Sequence, residues 1–376
     1  MKKTLDNPFL VSGYESPEFF CDRRSETQSL LEAFQNGRNV TLTSPRRMGK
    51  TGLILHTFYS LKQLFPQRPC IYIDLLATES LADFTELLAS SVLGQLDSDP
   101  MKVMKKAVSL IRGIRPYISV DEFSGLPKIE VEIVKGEEAH TIAQIFEYLN
   151  NSGKECYLAF DEFQQIGQYP GKNAEALLRS YIQNVHNVHF IFSGSQAHLL
   201  SEMFLSPKRP FYQSATHQSI GPIEMDDYYN FASHFFSIQG RKLTEDVFNW
   251  IYQRYEGHTW YMQKILNHLY PKKDKEINLG LVMESLGEIL KENEFYYQML
   301  LRSYTKGQVK LIKAIAREKK VSAVTSGAFV SKYGLTATSS VKSALKRLLD
   351  DEIVYQSNDG YMLYDRFMSE WINLYA

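Results

Sequence analysis

The stretch that decides the fold is Asn39-Val40-Thr41-Leu42-Thr43-Ser44-Pro45-Arg46-Arg47-Met48-Gly49-Lys50-Thr51. Its first five residues combine apolar Val40 and Leu42 with β-branched Thr41 and Thr43, which is typical of a strand. From Gly49 to Phe65, apolar residues recur at helical spacing. The order therefore predicts a buried strand, a polar loop and a long helix.

The loop between strand and helix has the composition of a phosphate-binding loop. Ser44 to Thr51 approximates the pattern G-x-x-x-x-G-K-[ST], with Ser44 in place of the first glycine. Gly49 would turn backbone N–H groups onto phosphate oxygens, Lys50 would reach the β and γ phosphates, and the Thr51 hydroxyl would bind Mg²⁺. Ser44 carries a Cβ where glycine has the greatest conformational freedom. A chance Gly-Lys-Thr is the alternative, and the strand–loop–helix order disfavours it.

Four further apolar runs predict strands, at Cys70–Leu76, Cys156–Asp161, His189–Ser193 and Gln218–Ile223. Several are apolar at consecutive positions, which is typical of strands buried on both faces of a parallel sheet. Helical periodicity fills the gaps between them. We therefore expect an α/β domain with a parallel sheet and right-handed crossovers.

A second chemical signal lies at Asp161 and Glu162, where the third predicted strand ends. In an ATPase, the first carboxylate would hold Mg²⁺ and the second would act as general base toward the attacking water. The carboxyl ends of parallel strands face one crevice, so both would lie near the loop that follows the first strand. An acidic strand end in solvent is the alternative, and the upstream loop disfavours it.

The His189 strand ends in small polar residues, Ser193-Gly194-Ser195. If this strand lies between the Asp161 strand and the first strand, the hydroxyl of Ser193 or Ser195 would contact the γ-phosphate or the attacking water. Ordinary turn chemistry explains the same residues. Both interpretations remain open from the sequence.

Together these residues resemble the additional-strand P-loop ATPases, which are AAA+-like, and more narrowly the archaeal and prokaryotic ATPase family related to STAND and AAA+ proteins. Arg46-Arg47 is similar to the family's R-R-x-G-K-T loop. Phe20-Cys-Asp-Arg23-Arg-Ser-Glu26 resembles its F-x-x-R-x-x-E motif, which implies that Phe20 and Arg23 lie near the adenine. The resemblance covers nearly the whole chain and implies ATP or ADP with Mg²⁺, and slow hydrolysis.

Two further segments are interpreted through this resemblance. Gly257 to Gln263 is similar to the G-x-P-x-x-x-Q loop of a helical lid, with Thr259 in place of the proline. Before the fifth strand, related ATPases present an arginine to a phosphate at the position of Gln213, and Arg209 is the nearest substitute here. A solvated surface arginine is the alternative for Arg209.

The predicted organisation has three parts. Residues 1–225 form the P-loop core, in which 97–140 are an inserted segment with an antiparallel hairpin around Ser124-Gly125-Leu126-Pro127. Residues 226–302 form a helical lid without strands. Residues 303–376 resemble a winged helix, with helices at Ala328–Tyr333 and Ser339–Leu349 and a wing at Ile353–Tyr364.

Charge is distributed unevenly along the chain. The net charge is −1, but residues 301–376 carry 12 Lys and Arg against 7 Asp and Glu, a net charge of +5, which leaves −6 for residues 1–300. Lys342, Lys346 and Arg347 cluster on the predicted recognition helix, as a phosphate-contacting face requires. Acidic residues follow at 350–352, and such modules also serve for packing within a protein. DNA binding and protein interaction both remain open.

The remaining features narrow the functional class. Cys21, Cys70 and Cys156 lack metal-ligand spacing and fit buried thiols in a reducing compartment. No run of about 18 apolar residues occurs, so we expect a cytoplasmic protein without membrane contact. The favoured function is an ATP-dependent switch of conformation or oligomerisation, with a homo-oligomer or protein effector as partner. A DNA-associated ATPase is the alternative, and a small-molecule kinase is disfavoured because the acidic pair suits water activation.

Overall fold

The computed structural model describes residues 5–96, 111, 113–120, 127–171, 173–357 and 359–376. It divides into two compact units. The core unit consists of residues 12–228 together with His258–Trp260. The carboxy-terminal unit consists of the segment up to Val11, residues 229–257 and Tyr261–Ala376.

The core unit is built on a parallel sheet. In chain order its strands are β1 Val40–Thr43, β2 Cys70–Asp74, β3 Ile114–Val120, β4 Pro127–Ile133, β5 Cys156–Asp161, β6 Val188–Gly194 and β7 Thr216–Ser219. Five of them pair in parallel in the order β2-β5-β6-β1-β7. The predicted α/β fold is confirmed, and β6 lies between β5 and β1 as the hypothesis for the serines requires.

Helices alternate with these strands. In chain order they are α1 Arg24–Gln35, α2 Lys50–Leu64, α3 Leu81–Leu96, α4 Glu138–Asn151, α5 Ala174–Ile182 and α6 Ala197–Leu205. A 3₁₀ helix, Phe163–Gln168, follows β5. Because successive residues of β5 point to opposite faces, Tyr157 and Ala159 join one apolar cluster while Leu158 and Phe160 join another. The consecutive apolar pattern thus reflects burial on both faces.

The fifth predicted strand was placed wrongly. Gln218–Ile223 was expected, but β7 is Thr216–Ser219. Ile220 N still donates to Thr43 O at 2.8 Å, after which Gly221 and Pro222 follow. Proline has no N–H to donate to a ladder, so the strand cannot continue through Pro222.

The inserted segment contains the expected antiparallel pair. Strands β3 and β4 pair from Ile114 with Ile133 to Val120 with Pro127. The predicted turn residues Ser124, Gly125 and Leu126 lie outside the described residues, as do residues 97–110. The alternation of polar and apolar residues therefore predicted the antiparallel pairing correctly, but Pro127, which was expected in the turn, is the first residue of β4.

The carboxy-terminal unit is mainly helical. Its helices are α7 Met225–Ile238, α8 Glu245–Tyr255, α9 Thr259–Leu269, α10 Leu279–Arg302, α11 Lys306–Glu318, α12 Gly327–Lys332, α13 Thr338–Asp350 and α14 Arg366–Tyr375, where the first residues of α7 and α9 belong to the core unit. The expectation of no strands before the wing is wrong. Strands β8 Lys242–Leu243 and β9 Glu276–Ile277 form a short parallel pair that buries Leu243 and Ile277. Two residues are too few for a periodic pattern to reveal.

The last part of this unit has the helices and wing expected of a winged helix. Strands β10 Val354–Ser357 and β11 Gly360–Leu363 form the antiparallel wing. Gly360 has φ +130°, and a Cβ there would lie 2.5 Å from Val321 O, so both conformation and space require glycine. Among the described residues, no helix has the length and hydropathy needed to span a membrane.

Candidate nucleotide-binding site

The loop between β1 and α2 has the backbone of an anion-binding turn. Gly49 takes φ +96°, and no neighbouring atom lies within 4 Å of a Cβ built there, so conformation rather than space requires glycine. Arg47 also has a positive φ, of 63°. Ser44 does not, so its Cβ introduces no left-handed strain. The serine in place of the first glycine is therefore compatible with the loop.

Lys50 is a buried cation at the start of α2. It is 6% exposed, and its Nζ donates to Ser44 O and Ser44 Oγ at 3.2 Å and to Pro45 O at 3.3 Å. All three acceptors are neutral oxygens. Burial lowers the pKa of Lys50, while the carboxylates of Glu162 and Asp161 act in the opposite direction. An ammonium group held in this way fits a ligand that brings negative charge.

Asp161 ends β5 and is 4% exposed. Its Oδ2 accepts from Thr51 Oγ1 and from Tyr72 Oη, each at 2.7 Å, and its Oδ1 accepts from Glu162 N at 3.1 Å. The structure thus joins the two predicted metal ligands, Thr51 and Asp161, directly. Oxygen ligands of this kind suit Mg²⁺, so Thr51 and Asp161 are the residues that would hold the ion.

Glu162 has a left-handed backbone, φ 54°, which turns the chain at the end of β5. Its Oε2 accepts from Gln164 Nε2 at 2.6 Å, from Ser195 Oγ at 2.8 Å and from Ser195 N at 3.2 Å. Ser195 Oγ in turn accepts from Arg46 Nε at 3.4 Å. The predicted base, one predicted sensor serine and the phosphate-binding loop therefore form one hydrogen-bonded network.

Ser193 lies within β6, two residues before Ser195, which follows the strand, and its environment is different. It is fully buried, and its Oγ has no hydrogen-bond partner among the described residues. The structure therefore connects Ser195, and not Ser193, to Glu162. A role of Ser193 toward a phosphate stays a prediction.

The predicted adenine-side residues lie beside the loop. Arg23 is 3% exposed, donates to Met48 O at 3.2 Å and pairs with Glu26 at 2.7 Å. Phe20 stacks on His56, with ring centroids 4.4 Å apart. Both residues thus lie next to the loop or its helix, and contact with adenine stays a prediction.

Arg209 has partners of a different kind. It forms an ion pair with Glu175 and a longer one with Glu202, at 4.0 Å. Neither glutamate is among the residues predicted for the nucleotide site. Its action on a phosphate stays a prediction.

Sequence reasoning missed two residues of this network, Tyr72 and Gln164. Tyr72 lies within β2, and only the pairing of β2 with β5 brings its hydroxyl to Asp161. Gln164 follows Glu162 by two residues in the polar stretch Asp161-Glu162-Phe163-Gln164-Gln165, where nothing in the sequence distinguishes it from Gln165. Neither position has a local pattern that indicates its partner.

This geometry, a parallel sheet with a phosphate-binding loop after β1 and an acidic pair after β5, defines a P-loop ATPase of the additional-strand class. Residues 20–265 match the family model described as an ATPase domain predominantly from Archaea. The chain belongs to this family of ATPases. Residues 295–374 match a second model, described as "Probable winged helix domain".

Solved structures show the same fold at low sequence identity. The Walker-type ATPase PABY2304 of Pyrococcus abyssi is 18% identical with a TM-score of 0.67, covering 98% of this chain and 100% of that chain. The Aeropyrum pernix ORC2 protein in ADPNP–ADP complexes is 15% identical, with a TM-score of 0.59 and coverage of 97% and 96%. The Aeropyrum pernix ORC1 protein in complex with DNA is 14% identical, with a TM-score of 0.55 and coverage of 98% and 96%. No curated protein matches the sequence.

Replacing Tyr72 by phenylalanine tests the contact with Asp161. The change removes a hydrogen bond to a buried carboxylate, so the free energy of unfolding should fall by about 1.5 kcal/mol, measured by urea denaturation. Tyr59→Phe is the control, because Tyr59 is 41% exposed on α2 and its hydroxyl can be hydrated. Equal stability of the two variants would show that the Tyr72 hydroxyl does not support Asp161.

Proposed function

We propose that this ATPase binds ATP with Mg²⁺ at residues 44–51 and Asp161, and acts as a nucleotide-dependent conformational switch. The buried Lys50, whose hydrogen bonds within the described part of the chain go to neutral oxygens, supports the phosphate site. The Thr51–Asp161 contact supports the Mg²⁺ site, because both side chains offer oxygen ligands to one position. Bound Mg²⁺ would neutralise charge that develops on the terminal phosphates.

Glu162 is the proposed general base. It would accept a proton from a water molecule whose oxygen forms a bond to the γ-phosphorus, while the bond from phosphorus to the bridging oxygen breaks and ADP leaves. Lys50 would bind the charged oxygens, and Ser195 would respond to the terminal phosphate through Glu162 and Arg46. In this proposal, Glu162 takes the proton of the attacking water and Lys50 binds the negatively charged phosphate oxygens.

The observation that carries the switch is the contact of His258–Trp260 with the phosphate-binding loop. Thr259 Oγ1 donates to Met48 O at 3.2 Å, and the Arg47 guanidinium lies 4.2 Å from the centre of the Trp260 ring. These residues belong to the core unit, and Thr259 and Trp260 are the first two residues of α9. A loop rearranged by nucleotide would therefore act on the start of α9. The change at the start of α9 would in turn alter assembly with further copies of the chain or binding of a protein effector.

Two variants separate binding from turnover. Lys50→Ala should abolish binding of labelled ATP, because the buried cation for the phosphates is lost. Glu162→Gln should keep ATP affinity while phosphate release falls by about 100-fold or more, because an amide cannot accept the proton. Lys62→Ala, an exposed lysine on α2, is the matched control for the first variant. Unchanged binding by Lys50→Ala, or unchanged turnover by Glu162→Gln, would contradict the assignment.

Tryptophan fluorescence tests the switch. In a Trp250→Phe/Trp371→Phe variant, Trp260 is the remaining tryptophan. Its emission should differ between saturating ADP and a non-hydrolysable ATP analogue, because Arg47 moves relative to the ring when the loop responds to the γ-phosphate. Adding Lys50→Ala should abolish the difference. Identical emission with both nucleotides bound would argue against a switch at this contact.

A second candidate function is DNA association through the winged helix. The favouring observation is that Lys342 and Lys346 are exposed on the same face of α13, four residues apart. Arg347 is 64% exposed but pairs with Asp351 at 2.7 Å, which neutralises part of its charge. The ORC1 structure, a protein of the same fold, is a complex with DNA.

The DNA hypothesis predicts a salt-dependent affinity. Changing Lys342 and Lys346 to Ala should weaken binding to duplex DNA and reduce the slope of log K against log salt by about 2. Lys273→Ala/Lys275→Ala removes the same charge from an exposed loop and should leave binding unchanged. DNA binding that is absent at low salt, or equally strong in both double variants, would contradict the DNA hypothesis. The conformational switch would then be the remaining proposal.

A further inference from the structure

Gln164 is a buried side chain with an unusual distribution of hydrogen bonds. It is 5% exposed, and its Nε2 donates to Glu162 Oε2 at 2.6 Å. Its Oε1, at the other end of the amide, is buried without a hydrogen-bond partner among the described residues. A carboxylate accepts and does not donate, so the amide must turn its nitrogen toward Glu162 and leave its oxygen unsatisfied. A leucine here would avoid that cost, so the amide serves something other than stability.

Gly194, the last residue of β6, makes room for this amide. A Cβ on Gly194 would lie 2.1 Å from Gln164 Oε1, closer than any real contact. The backbone of Gly194 is not in the left-handed region, so its conformation does not require glycine. A side chain at this position would therefore require the Gln164 amide to leave its present place.

Backbone and packing contacts hold the turn that carries Gln164. Glu162 reverses the chain with φ 54°, and Gln165 N donates to Glu162 O at 2.9 Å. Phe163 is fully buried, with its ring centroid 4.6 Å from that of Phe192 in β6. Contacts of the two neighbouring residues, Phe163 and Gln165, thus hold the backbone on either side of Gln164.

The hydrogen bonds that Glu162 accepts share one oxygen. Gln164 Nε2, Ser195 Oγ and Ser195 N all donate to Oε2. No hydrogen bond from a described residue reaches Oε1. Three donors on one oxygen fix the plane of the carboxylate and leave the second oxygen to accept from water.

We propose that Gln164 is a positioning residue for ATP hydrolysis, which holds Glu162 by Oε2 and so presents Oε1 to the attacking water. The inference rests on the proposed role of Glu162 as general base. Gln164 itself does not touch the reacting atoms. Since a misplacement of about 1 Å can cost about 100-fold in rate, a loosened carboxylate should act on turnover and not on nucleotide affinity.

The test compares two adjacent glutamines. Gln164→Leu removes the donor and the unsatisfied oxygen together, and kcat for ATP should fall about 10- to 100-fold while KM and the affinity for labelled ATP stay unchanged. Gln165→Leu is the matched control, because the Gln165 amide donates to Thr78 O and not to Glu162. It should keep the kcat of the wild type. Retained ATP affinity shows that each variant is folded at the site.

Gly194→Ala tests the same contact from the other side. Its Cβ should displace the amide and lower kcat as Gln164→Leu does. In a Gln164→Ala background the same change should have no further effect on kcat, because the group that it displaces is already absent. Independent, multiplicative effects of the two changes would overturn the inference.

The outcomes separate this inference from the proposed function. If Glu162→Gln abolishes turnover but Gln164→Leu turns over like the wild type, Glu162 remains the base and Gln164 does not position it. If Gln164→Leu loses ATP affinity in proportion to its rate, its role is structural and the inference fails. If Glu162→Gln turns over like the wild type, the proposed base itself fails, and the inference fails with it.

Discussion

The hydrogen bond between Thr51 Oγ1 and Asp161 Oδ2, 2.7 Å long, is the contact on which the site depends. It joins the first turn of α2 to the end of β5 across a sheet in which β6 separates β1 from β5. Only parallel strands in this order bring the loop after β1 and the carboxylates after β5 to one edge. The sheet therefore serves as the frame that sets the distance between the phosphate-binding loop and the acidic pair.

Three buried polar side chains of the candidate site lower the stability of the fold. Lys50 is buried with neutral partners, Asp161 is buried on donors from three segments, and Gln164 leaves an acceptor unsatisfied. Burying each of these polar groups costs free energy of folding that burying an apolar residue would not. The aromatic cluster beneath the sheet, including Phe163 and Phe192, offsets that cost and keeps the turn after β5 in place. A phosphate would bring the negative charge that the neutral hydrogen-bond acceptors of Lys50 do not supply.

Much of the core followed from pattern. The continuous apolar run of β5 predicted burial on both faces, and the structure assigns alternate residues of β5 to two apolar clusters. Prediction failed where local signals were short or interrupted. Strand β7 stops before Pro222, and β8 with β9 has two residues in each strand. A pattern needs several residues to show a period, so such pairs are decided by packing.

By itself, the sequence determined the phosphate-binding loop, the acidic pair after β5 and the basic helix near the carboxyl terminus, because each is written within a few adjacent residues. Tertiary structure alone decided that Thr51 meets Asp161 across 110 residues of chain, that Tyr72 supports the same carboxylate, and that Gln164 and Ser195 donate to Glu162 Oε2. The physical reason is that a local pattern specifies conformation and burial. Which side chains then meet depends on the order and register of the strands that carry them.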